Sequence, residues 1–162
     1  MSLMIRPILF LAAFVTACPA AAAGFDPFAF FSGSTRGDGT LKIAMKGSEP
    51  FKVESRGRAD GKGGFVLEQI VRQGSKPPKQ RRWFLREVSP NTLVGTISDS
   101  PGTVRGRLIG NSLVLNYPVK GGLRAEQVMT PEANGRTVRN NIVVRKLGIV
   151  VARVREIIRK LD

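Results

Sequence analysis

Apolar and polar residues alternate with a period of two through most of this 162-residue chain. Leu41, Ile43 and Met45 are interleaved with Lys42, Ala44 and Lys46, and Phe51 and Val53 with Lys52, Glu54 and Arg56. Phe65, Leu67 and Val71 share one parity, followed by Trp83 and Leu85, Leu93 and Ile97, and Val104 and Leu108. Leu113, Leu115, Tyr117 and Val119 continue the series, then Leu123, Ala125 and Met129. That period belongs to a β-strand with one buried face. Between the runs lie turn formers: Gly57 to Gly64, Lys76-Pro77-Pro78, Ser89-Pro90-Asn91, Ser100-Pro101-Gly102, Gly110-Asn111, Gly121-Gly122 and Asn134-Gly135. Glycine supplies positive φ, proline presets φ, and Asn or Asp satisfies the turn backbone. Many short strands with no helix-length periodic segment between them predict an all-β antiparallel fold. One apolar face per strand fits an up-and-down barrel filled or lined by apolar side chains. The segment from Ile142 to Leu161 is open to two readings. Its Val and Ile content and Gly148 favour two strands with a turn between them, while Leu147, Val151, Val154, Ile158 and Leu161 also fit the stripe of a basic amphipathic helix. The strand reading is preferred.

The alternation is absent from the first 23 residues. Arg6 is followed by an uncharged apolar run from Pro7 to Ala17 and by small residues ending Ala21-Ala22-Ala23. This is the layout of a secretory signal peptide, and the run is too short for a membrane-spanning helix. Residues 1–23 are therefore read as an export signal and 24–162 as one domain of ordinary size. Two processing routes fit. Cleavage after Ala23 gives a free periplasmic protein. Val15-Thr16-Ala17-Cys18 instead has the residue types of a lipoprotein site, where acylation of Cys18 would tether the chain to a membrane facing the periplasm.

The chain carries 26 basic and 12 acidic residues, a net charge of +14. The excess is concentrated in residues 72–86, with Arg72, Lys76, Lys79, Arg81, Arg82 and Arg86, and in residues 136–162. Such a field attracts polyanions and weakens with salt. Export makes nucleic acid a poor candidate and leaves anionic lipid or envelope polymers as possible partners. There is no histidine, and Cys18 is the sole cysteine. A Ser-His-Asp triad, a cysteine nucleophile in the mature domain, a zinc site of the usual ligands and an internal disulfide are thereby excluded, and no cofactor is indicated. The glycine-rich segment from Gly57 to Gly64 lacks the spacing and following helix of a phosphate loop. Arg36-Gly37-Asp38 has no context that would make it an adhesion tripeptide.

Several spaced motifs carry a family resemblance. They are Phe30-Phe31-x-Gly33 with Gly37-x-Gly39, and Leu67-Glu68-x-Ile70 with Gly74 and Arg81-x-Trp83. Most specific is the run Gly95-x-x-x-Asp99-x-x-Gly102-x-x-x-Gly106-x-x-x-Gly110-Asn111, with Tyr117 after it and Asn140 and Lys146-x-Gly148 towards the end. From Phe25 onward the chain resembles a domain-of-unknown-function family of small Gram-negative envelope proteins, often lipoproteins. The resemblance implies a lipocalin-like barrel with an internal cavity and implies no activity. Glu126-Gln127-Val128-Met129 replaces the family's usual Asp-Asp-Trp-Met, and Asn141 stands where arginine is usual.

Candidate ligand-contacting positions, in a cavity or at its rim, are Glu68, Arg81, Trp83, Asp99, Tyr117, Glu126 and Asn140. Charged groups facing a barrel interior are costly unless paired, so Glu68, Arg81 and Asp99 read either as head-group ligands or as structural pairs and turn formers. Trp83 and Tyr117 read as ligand-stacking or core aromatics. The acids show no spacing that singles out a catalytic pair, so no catalytic and no metal-binding residues are assigned. The expected function is a non-enzymatic exported barrel holding a small apolar or anionic amphipathic ligand. The alternative is a basic interaction protein docking on anionic envelope surfaces without an internal ligand.

Overall fold

The computed structural model describes residues 24–162. The export signal and Cys18 lie outside them. A five-residue helix, α1 (Pro27–Phe31), is followed by ten strands: β1 (Gly33–Ile43), β2 (Ser48–Ala59), β3 (Gly64–Gln73), β4 (Lys79–Ser89), β5 (Thr92–Ile97), β6 (Thr103–Ile109), β7 (Ser112–Val119), β8 (Leu123–Pro131), β9 (Thr137–Lys146) and β10 (Ile149–Lys160). Each strand pairs antiparallel with the next, and β10 pairs with β1, from Thr35 opposite Lys160 to Ile43 opposite Ala152. The result is a closed all-β, lipocalin-like up-and-down barrel with no free sheet edge.

The alternation read from the sequence becomes the inside and outside of this barrel. Leu113, Leu115, Val104 and Val138 are almost wholly buried and fill its centre. The expected turns appear between the strands, with one adjustment: β2 continues through Ala59, so the glycine-rich turn is confined to residues 60–63. Asp60 closes it by accepting the amides of Lys62 at 2.7 Å and Gly64 at 2.8 Å. Within the segment 142–161, residues 142–160 form the end of β9, a two-residue turn and β10, as the strand reading expects.

One end of the barrel is plugged by α1. Asp26 caps the helix by accepting the amides of Phe28 and Ala29, and Pro27 occupies its first turn, where a missing N–H costs nothing. Phe28 stacks on Phe65 at 5.0 Å, and Phe31 packs edge-on against Phe30 at 4.9 Å. A side chain at Gly57 would collide with the Phe31 carbonyl oxygen, so glycine is what lets α1 lie on β2. The Lys160 ammonium donates to the carbonyls of Ala29, Phe30 and Ser32 at the helix's C-terminal end, where a cation is favoured. Lys160→Met is expected to loosen the plug by about 1 kcal/mol. The Phe30 and Ser32 amides should then exchange with solvent deuterium about five times faster, with β7 and β8 unaffected.

Candidate functional site

One row of polar side chains crosses four neighbouring strands. Thr35 of β1 is opposite Ser55 of β2, Ser55 is opposite Gln69 of β3, and Gln69 is opposite Arg81 of β4. Gln69 links the row: its Nε2 donates to Ser55 Oγ at 3.1 Å, and its Oε1 accepts from Trp83 Nε1 at 2.7 Å. The Trp83 and Tyr117 rings meet edge to face at 5.4 Å, and the buried Tyr117 hydroxyl donates to Gln127 Oε1 at 3.1 Å. Burial pushes the Tyr117 hydroxyl up to about 12. An acid that holds its proton more tightly when folded loses stability as pH rises between its unfolded and folded values. Denaturation midpoints should therefore fall as pH is raised from 10 to 12, and Tyr117→Phe should flatten that fall.

Glu156, on β10, is the ionisable side chain of an acid or base most removed from solvent among the described residues, at 5% exposure. Asn140 Nδ2 donates to its Oε2 at 2.7 Å. Burial drives the carboxyl above the usual carboxylate range. Asn140 opposes this, and the charge of Asp38 reinforces it. Glycine at 37 leaves the carboxyl its space, because a Cβ there would strike Glu156 Oε1. Three buried polar atoms have no hydrogen-bond partner among the described residues: Glu156 Oε1, Asn140 Oδ1 and Thr35 Oγ1. Buried polar atoms are normally satisfied. Beside Glu156 and Asn140 is a cavity of about 50 Å³, walled by Phe28, Phe31, Trp83, Leu115, Met129 and Gln69 among others. It has an apolar lining, a polar corner and α1 as its cover.

The positions expected from sequence separate into three places. Trp83, Tyr117 and Asn140 face the interior, with Trp83 and Asn140 on the cavity wall. Arg81 and Asp99 pair further along, two guanidinium N–H groups reaching Asp99 Oδ2 at 2.9 and 3.1 Å. Asp99 follows β5, so this pair lies toward the end of the barrel remote from α1. Glu68 and Glu126 are on the outer wall, at the opposite parity to Leu67 and Ala125. Glu68 joins Arg58 at 3.1 Å and Arg82 at 2.8 Å, and Glu126 lies 4.0 Å from Arg145. Neither faces the cavity. Glu156, Gln69, Gln127 and Thr35 were not among the expected residues. Glu156 had a visible signal, a charge at an apolar position between Val154 and Ile158, but only once residues 149–160 are read as a strand.

A second, open depression of about 840 Å³ crosses the outside of β1–β4. Arg36 and Glu54 form one bank, and Arg56, Glu68 and Arg82 the other. Its two carboxylates, Glu68 and Glu54, are bound by arginines. Among the described residues no group of His, Cys, Asp and Glu side chains is placed to hold a metal ion.

Solved structures similar to the barrel include the following two. One is described as the S-type phycobiliprotein lyase CPES from Guillardia theta, with a TM-score of 0.65, 10% identity, and coverage of 83% of this chain and 90% of that one. The other is described as Rv2717c from M. tuberculosis, with a TM-score of 0.52, 13% identity, and coverage of 82% and 93%. At these identities the likeness is one of fold. No significant match was found among curated proteins. Residues 11–160 match the family model described as Protein of unknown function (DUF3833). With the match spanning nearly all of the sequence and a lipocalin-like barrel beneath it, the chain belongs to the DUF3833 family.

Proposed function

We propose that this protein is a non-enzymatic carrier that takes a small amphipathic molecule into the barrel, its polar head on Glu156 and Asn140 and its apolar part against Trp83, Met129 and the phenylalanines of α1. The observation that carries the reading is the pair of unpartnered buried atoms, Glu156 Oε1 and Asn140 Oδ1, on residues that line, with Gln69, a largely apolar cavity. A pocket of apolar walls with a few convergent polar groups is the usual form of a small-molecule site. A barrel of the same architecture in a protein described as a phycobiliprotein lyase is compatible with a small ligand. The present cavity has room for little more than a terminal group, so a longer ligand enters by displacing α1. The head is neutral rather than anionic. Arg81 is already held by Asp99, whereas the carboxyl of Glu156 would repel an anion and, when protonated, can both donate and accept. The pattern of residues 1–23 supports an exported carrier, free in the periplasm or anchored at Cys18, and the mass of the purified N-terminus distinguishes the two.

The test is displacement of a neutral apolar dye by dodecanol and by dodecanoate. Dodecanol should displace it saturably and better than dodecanoate at pH 8. Asn140→Leu should weaken dodecanol by about threefold to tenfold, the worth of one neutral hydrogen bond. Absence of saturable dye binding, or equal competition by both compounds in parent and variant, removes the proposal.

A further inference from the structure

The end of the barrel remote from α1 combines two features that are rarely found together on a free surface. Five connections turn there, among them the neighbouring hairpins β7–β8, β9–β10 and β1–β2. The β9–β10 and β1–β2 hairpins carry large apolar side chains at their tips. Met45 is 106% exposed, Leu147 93% and Ile149 71%. An exposed apolar residue is ordinary by itself. These three are adjacent, because β10 pairs with β1 and the Ala44 amide donates to the Val151 carbonyl at 2.8 Å.

The backbone makes their presence more pointed. Met45 and Leu147 have φ of 61° and 48°, and Gly148 has φ of 84°. Lys146 is opposite Ile149, so Leu147-Gly148 is a two-residue hairpin turn with both residues left-handed. Asparagine followed by glycine is the sequence such a turn prefers. Leucine at its first position works against the backbone and gains no burial in the barrel. Around the tips stand Lys42, Lys46, Lys120, Arg124 and Lys146, none with a carboxylate within salt-bridge distance among the described residues.

We infer that this end is a docking face for an anionic lipid bilayer, with Met45, Leu147 and Ile149 entering the headgroup and upper acyl region and the surrounding cations resting on lipid phosphates. Apolar groups projecting from hairpin tips with a collar of cations match a surface that is anionic outside and apolar just beneath. Docking at this face does not depend on what the interior holds. It leaves α1 and the cavity cover on the side away from the membrane. Its attraction is partly electrostatic and weakens as salt shortens the screening length from about 10 Å at 0.1 M.

The experiment measures partitioning of the full chain onto vesicles of phosphatidylglycerol and phosphatidylethanolamine, compared with vesicles of phosphatidylcholine alone. Met45→Asn with Leu147→Asn is the decisive variant, because asparagine suits left-handed turn positions and the fold should keep or gain thermal stability. Its partitioning onto the anionic vesicles should nevertheless fall at least tenfold, and the parent should bind phosphatidylcholine far more weakly. Orientation is read by quenching with brominated lipid. Leu147→Trp should be quenched, whereas Ile109→Trp, at the α1 end, should not; Trp83 supplies the same interior background in both. Equal partitioning of parent and double variant overturns the inference. So does equal binding to both vesicle types, or quenching at position 109 that matches or exceeds that at 147.

Discussion

Replacing Trp83 with alanine is expected to lower the folding free energy by about 3–5 kcal/mol, the usual range for removing a large buried aromatic side chain. The indole is 5% exposed, meets Tyr117 edge-on at 5.4 Å and donates to Gln69 Oε1 at 2.7 Å. Truncation removes apolar contact, leaves a void and strands an acceptor already linked to Ser55 through its own amide. Strand closure on both sides limits how far the wall can collapse to fill the gap. Denaturant unfolding followed by far-UV circular dichroism measures the loss. Trp83→Phe keeps most of the ring and forfeits the hydrogen bond, and should cost roughly half as much or less. Added indole should recover part of the alanine variant's stability, since apolar voids of this kind accept small aromatics. A loss below about 1 kcal/mol would mean that the interior is not packed around this residue.

The second large effect concerns Glu156, and its sign is opposite at neutral pH. A carboxyl whose proton affinity is raised by burial binds its proton more firmly in the folded chain than in the unfolded one. Folding is then most favoured below the unfolded value, near 4.5, and loses stability as pH rises until the folded carboxyl ionises. Each tenfold difference in proton affinity corresponds to about 1.4 kcal/mol. Glu156→Gln removes the ionisation and should raise stability by roughly 1–3 kcal/mol at pH 8, while at pH 4 parent and variant should nearly coincide. The exposed carboxylates follow the reverse rule. Glu49, Glu68, Asp60 and Asp162 are held below their usual range chiefly by hydrogen bonds, and what they contribute is lost as pH falls. The parent should therefore be most stable in the mildly acidic range and lose ground on both sides, with only the alkaline side altered in the glutamine variant. Identical pH profiles for parent and variant would place the carboxyl in contact with water.

The architecture was legible because a barrel wall writes its two faces into successive residues. Leu113, Leu115 and Tyr117 point in and Asn116 points out, and Gly110-Asn111 and Asn134-Gly135 mark turns that the chain takes. Site residues follow the same rule of parity, which shows where reading them fails. Glu68 adjoins Leu67, so a strand that buries Leu67 must put Glu68 outside, where Arg58 and Arg82 meet it. Glu156 shares parity with Val154 and Ile158 and therefore points in. That inference needs residues 149–160 to be a strand, and the heptad-like spacing of Leu147, Val151, Val154 and Ile158 obscured it. The barrel's closure decided between the two patterns. Without β10 the hydrogen-bonding edge of β1 would stay open, and pairing along nine residues of that edge outweighs any local helical preference. The pairing of Asn140 with Glu156 across β9 and β10 is a matter of register, and register is not visible until the turn at Leu147-Gly148 is fixed.

The seam between β1 and β10 also has a kinetic consequence. It joins Thr35 to Lys160, so the final closing step brings together segments separated by most of the polypeptide. Contacts so distant along the chain are slow to form, because the entropy of the enclosed loop is lost before they compensate for it. Hairpins β2 to β9 can zip in sequence, yet two raw edges persist until the last strand arrives, and a ribosome-bound chain lacking β10 cannot complete the fold. Refolding should thus show early gain of β-structure followed by a slower phase in which Trp83 fluorescence reaches its native value, and the interval between them is when this molecule is most exposed to edge-to-edge aggregation.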